Sequence, residues 1–119
     1  MNPLIFIAAA LAGGVGAVLR YLIDSAVSKA AGRRFPWGIL LINLTGSFAL
    51  GVVTTALPDA LFVVGAGLLG GYTTFSTAML DTVQLWQRGE RSASAVNALG
   101  MLLLGLAAAG LGLALGAAI

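Results

Sequence analysis

The residues with the most chemistry in this chain lie together. The stretch Gly67-Leu-Leu-Gly-Gly-Tyr-Thr-Thr-Phe-Ser-Thr77 sets two adjacent glycines, a phenol, four aliphatic hydroxyls and a phenylalanine inside an otherwise apolar run. A helix in lipid must satisfy its backbone polar groups internally, so such a cluster at that depth predicts a broken helix that lines protein or water. Unwound backbone exposes carbonyl oxygens, which suit a dehydrated cation of low charge such as Na⁺. The start of a half-helix exposes N–H groups, which suit an anion. Phe75 adds the positive rim of an aromatic ring, which can meet an anion edge-on. The competing reading is an intact helix that uses these residues for packing.

Little else in the chain could do chemistry. Histidine and cysteine are absent and only four residues are acidic. This removes the imidazole acid/base, the thiol nucleophile, the commonest metal ligands and any disulfide, so no enzyme is expected. The net charge of +2 is small. It sits in loops and reports topology, not a nucleic-acid surface.

The elements that must position the cluster are membrane spans. The 119 residues are 60% hydrophobic and 8% charged, with a mean hydropathy of +1.04, whereas a soluble domain carries roughly a quarter charged residues. The expected fold is an all-α membrane protein of four transmembrane helices, over about 3–22, 37–57, 60–86 and 93–118, in a single domain. The first segment has no basic leader region and continues into Arg20-Tyr21, so it reads as a mature span and not a signal peptide. In it, Ala10 with Gly14 and Ala12 with Gly16 offer small residues for close helix approach, and Arg20 near its end can snorkel to the headgroups. Residues 24–36 read as a basic loop with room for a short interfacial helix, followed by Trp37 as an interface anchor.

The second span carries Asn43 and Ser47 one turn apart, with Gly46 and Gly51 near the same stripe, and stops at Pro58-Asp59. Asn43 either joins helices or lines a pore. The third run is longer than one straight span needs. It is expected as two half-helices, one ending near Leu69 and one starting near Thr74. The last span has Ala108, Gly112 and Gly116 at successive fours for close packing, and Asn97 as a hydrogen bonder near the helix end. Every Lys and Arg lies in or beside the first and third loops, which places those loops in the cytoplasm and both termini outside. Four short helices enclose little space, so a dimer is expected.

Three motifs carry a resemblance: Gly13-Gly14-Val-Gly16-Ala17-Val-Leu-Arg20-Tyr21, Asn43-Leu-Thr45-Gly46-Ser47-Phe48 with Gly51, and Gly70-Gly71-Tyr-Thr73-Thr74-Phe75-Ser76-Thr77. In this order they resemble the Fluc or CrcB fluoride channel family across all four spans. The resemblance implies an antiparallel dimer in the cell inner (plasma) membrane, with two pores that export fluoride passively and selectively. It implies a central structural Na⁺, not transported, held by backbone carbonyls of Gly70 and Thr73. It also implies a fluoride path along Asn43, Phe75, Ser76 and Thr77, with Arg20, Ser47 and Met79 in vestibule or packing positions. Passive export is enough, because fluoride enters as the neutral acid and is trapped as the anion.

The chain departs from that family in places. Ala78 stands where relatives have a second phenylalanine, with Met79 close to the same helical face, and Gly100 stands about where relatives place a serine or threonine. Its loop charge favours one orientation, whereas dual-topology homodimers need balance. Homodimer and heterodimer with an oppositely oriented homologue therefore both stay open, as does a non-conducting or partner-dependent subunit. A small multidrug exporter is a further alternative, but it needs a membrane carboxylate, for which Asp81 is the only candidate.

Overall fold

The computed structural model describes residues 2–119. Helix α1 spans Pro3–Ala31, with Pro3 at its first position and the Asn2 side chain accepting from Leu4 N–H at 3.0 Å. Its 29 residues extend roughly 44 Å, well beyond a ~30 Å hydrocarbon core. The helix therefore runs through much of the expected loop. No breaker intervenes between Asp24 and Gly32, where φ reaches 80° and the chain turns. Arg20 consequently lies within α1 and not at its end.

Helix α2 is Trp37–Ala56 and stops before Pro58. The third span, Pro58–Gln87, is the irregular one. It begins with a 3₁₀ turn at Pro58–Ala60, continues as a π-helical stretch over Leu61–Leu69 and finishes its first half in one α-helical turn, α3, at Gly70–Tyr72. Thr73 and Thr74 are extended, and α4 then runs over Phe75–Gln87. The break falls where it was expected, but the first half continues to Tyr72 and not just to Leu69. Helix α5 is Arg91–Ala118. Each of the four spans is long and apolar enough to cross a membrane, so this is a multi-pass membrane protein.

Lipid tails are as apolar as leucine, so helices in a bilayer associate through close backbone approach and hydrogen bonds. Two seams do this here. Along the first, α1 meets the first half of the third span. A Cβ added at Gly71 would strike the backbone of Gly13, and one added at Gly16 would lie 2.7 Å from the Tyr72 nitrogen and closer still to the Leu68 carbonyl. The residues that seat α1 are thus Gly13 and Gly16. Gly14 and Ala10, expected on the packing face, are exposed, and Gly14 has open space beside it. Along the second seam, Gly112 and Gly116 of α5 press on the Phe48 and Val52 carbonyls of α2, and Thr55 Oγ1 donates to the Leu113 carbonyl at 3.0 Å.

Within the subunit the apolar core is small, with Ile39, Ile42 and Ala78 at its centre. Most large apolar side chains, such as Leu103, Leu106 and Leu111, are exposed, as lipid-facing residues should be.

At one end the first and third loops are clasped. Arg34 Nε lies 2.9 Å from Glu90 Oε1, and Arg88 Nη2 donates to the Arg34 carbonyl at 3.0 Å. Arg91 stacks over Trp86 at 4.5 Å. The basic loops thus form a single surface.

Candidate functional site

The site is built on the break. A helix that stops leaves its last carbonyls without N–H partners, and one that starts leaves its first N–H groups without acceptors. The chain satisfies part of this debt locally. Thr73 donates both its N–H and its Oγ1 to the Leu69 carbonyl, at 3.0 and 2.9 Å. Thr74 caps α4, its Oγ1 accepting from Thr77 N–H at 3.2 Å and donating to Thr77 Oγ1 at 3.2 Å.

Asn43 closes the gap between the halves. Its Nδ2 donates to the Thr74 carbonyl at 2.8 Å while its Oδ1 accepts from Thr74 N–H at 2.9 Å. The carboxamide thereby stands in for a missing backbone peptide. Nδ2 also donates to Met101 Sδ of α5 at 2.9 Å, so one side chain joins α2, the break and α5. Replacing Asn43 with leucine strands both polar groups of Thr74, and the expected cost is about 2 kcal/mol or more. A lowered unfolding temperature in detergent checks this, with Ser47→Ala expected to move it little; an unchanged temperature for Asn43→Leu removes the bridging role.

Above the break, Phe75 is 78% exposed and Ser76 is exposed beside it, both in the first turn of α4. That turn carries the positive end of the helix dipole. A groove of about 490 Å³ runs past it, and its lining includes Asn43, Ser47, Gly70, Thr73, Phe75 and Met79. Six of the residues singled out by sequence therefore share one concave surface. Thr77 is half-buried and engaged with Thr74, while Ser76 lies beside the groove and not among its lining. Arg20, on α1, is outside the groove lining as well.

Other residues bear on the site that sequence reasoning did not place there. Thr74 is the partner of Asn43, and Met101 is the α5 residue facing it; Gly100, where a polar residue was sought, is not in the lining. Thr45 and Tyr72 share a hydrogen bond between their hydroxyls at 2.9 Å, fixing α2 to α3. The doubled threonine was a legible sign of a cap, whereas nothing distinguishes Met101 from any other apolar residue of a span. Ala78 is 1% exposed and packs in the core with Ile39 and Ile42 at the floor of the groove, whose lining it shares with Phe75 and Met79. Asn97 does not serve a helix end. It is wholly buried against α4.

Four spans, one interrupted at a hydroxyl-rich turn and opening on a groove, define a small multi-pass membrane protein with a discontinuous-helix site. The chain belongs to the CrcB family: the family model described as CrcB-like protein, Camphor Resistance (CrcB), matches residues 7–113. Among its relatives is the fluoride-specific ion channel FluC 1 of Leifsonia xyli subsp. xyli, 45% identical over 122 residues, covering 98% of this chain and 89% of the relative. The FluC 1 channel of Rubrobacter xylanophilus is 46% identical over 109 residues, covering 89% and 88%. FluC 2 of Mycobacterium tuberculosis is 44% identical over 110 residues, covering 91% and 87%. These relatives are ion channels by name, not enzymes.

Proposed function

We propose that the chain is one subunit of a fluoride-specific channel that lowers cytoplasmic fluoride by passive flow through the cell inner membrane. The observation that carries this reading is the start of α4. There an exposed ring lines a groove at a helix N-terminus, with an exposed hydroxyl beside it, in a chain that matches relatives named as fluoride channels along nearly its whole length. Fluoride is small and strongly hydrated, so close donors and ring edges must replace its water. Phe75, Ser76 and Thr77 supply these, with Asn43 holding the turn that presents them.

An antiparallel dimer completes the path. The groove is open on one side and Phe75 is uncovered within the subunit, so a second chain is needed to enclose an ion. A structural Na⁺ fits the break. Carbonyls that end a half-helix are hard, uncharged oxygens without helical N–H partners, which is the donor set a dehydrated monovalent cation takes. Gly70 and Thr73 would hold it, and when bound it would offset the carbonyl dipoles that meet there. A partner-dependent form is favoured by one observation: every Lys and Arg lies in or beside the first and third loops, which biases insertion toward one orientation.

Efflux from fluoride-loaded liposomes tests the reading. Rapid fluoride release without matching chloride release is expected from this chain alone or with an oppositely biased homologue. No release in either setting overturns it. Labelling of tagged termini then separates the assemblies, since equal exposure of the termini on both faces without a partner favours the homodimer.

A further inference from the structure

Helix α4 has a mechanical difficulty. Because Thr73 and Thr74 are extended, the rotation of α4 about its axis is not inherited from the helix before it. Each residue of helix turns by about 100°, so a one-residue slip of α4 would swing Phe75 off the groove and displace Ser76 from its place beside it. Asn43 holds the first turn through Thr74, but one bridge at one end does not fix rotation.

The second hold lies a turn further on. Asn97 of α5 is 0% exposed, and its Nδ2 donates to Thr82 Oγ1 at 2.9 Å and toward the Ala78 carbonyl at 3.4 Å. Thr82 Oγ1 spends its own hydrogen on the Ala78 carbonyl at 2.9 Å, so it can only accept from Asn97, which sets the amide with its NH₂ toward α4. Ser94 Oγ adds a bond to the Thr82 carbonyl at 2.8 Å. Two successive turns of α4 are thereby keyed to α5. The arrangement leaves Asn97 Oδ1 buried without a hydrogen-bond partner. An interface selected for stability alone has no use for that atom, because leucine would fill the site and strand nothing.

We infer that Asn97 is a positioning residue for ion passage: it sets the rotation of α4, through Ala78 and Thr82, and so fixes where Phe75 and Ser76 stand. The inference rests on the fluoride-channel reading, and its test keeps the two apart. The full chain, reconstituted as for efflux, is compared with Asn97→Leu, and Ser76→Cys is placed in each as the sole thiol, since the protein has no cysteine of its own. The expected result is fluoride efflux lower by about tenfold, a changed rate of thiol labelling at position 76, and an unfolding temperature that holds or rises. Thr82→Val is expected to lower efflux similarly, and the double variant to lose no more than either alone. Unchanged labelling overturns the inference, and so does a loss of efflux accompanied by a matching loss of stability. Should the unsubstituted protein carry no fluoride, the channel reading fails and labelling at position 76 alone decides for or against Asn97.

Discussion

Gly71→Val is expected to yield no folded subunit, while Gly14→Ala, next to Gly13 on α1, is expected to leave the protein intact or slightly more stable. At Gly71 an added carbon meets the Gly13 carbonyl oxygen, with the Gly13 carbonyl carbon at 2.8 Å and Cα at 2.9 Å. All three are backbone, so no side chain can swing aside, and α1 must move off the third span. The cost is about 3 kcal/mol or more, a large fraction of the roughly 5–15 kcal/mol that holds a domain together. Gly14 has nothing within 4 Å, and alanine gains up to about 1 kcal/mol of helix propensity over glycine. Size-exclusion profiles and unfolding temperatures in detergent check the pair. A monodisperse, heat-stable Gly71→Val protein would mean that the seam does not carry the fold.

The other large effect concerns transport. Phe75→Ile is expected to cut fluoride efflux by about tenfold, the equivalent of ~1.4 kcal/mol in a barrier, within the range of specific interactions made by an aromatic ring. Isoleucine keeps an apolar side chain at the position but has no ring edge. Since Phe75 is 78% exposed in the subunit, the unfolding temperature should hold, which separates loss of an ion contact from loss of fold. Efflux equal to that of the unsubstituted protein would take Phe75 out of the path.

How much of this was legible in the chain varies by element. The spans were legible because a bilayer demands long apolar runs, and the break because hydroxyls and paired glycines at mid-membrane have few other uses. The true end of α1 was not. Polarity marks where lipid stops, whereas a helix stops only at a breaker, here Gly32. Small residues at helical spacing indicated that α1 packs closely, but period alone could not tell Gly13 and Gly16 from Gly14. That choice depends on the rotation of α1 against a partner that is itself π-helical over Leu61–Leu69, with a repeat no α-helical count anticipates. Asn43 stood out as a polar residue in mid-span, yet its partner Thr74 lies 31 residues away, a pairing set by tertiary structure. Asn97 looked like a helix-end residue from its place near the start of α5, and only the packing of α4 over it shows otherwise.

The interrupted third span also bears on how the chain is made. Its first helical half covers residues 61–72 and its second, Phe75–Gln87, has 13 residues. About 20 residues are needed to cross a hydrocarbon core, so neither half can cross alone. Its most apolar window is also the least apolar of the four spans. As the nascent chain leaves the insertion machinery, α1 and α2 can enter lipid on their own merits. The third span instead depends on what has arrived before it: Gly13 and Gly16 to receive its first half, and Asn43 to cover the gap. The partners that receive its first half and cover its gap are already in the membrane when it emerges, and α5, with Met101 and Asn97, arrives afterwards to lock the second half in place.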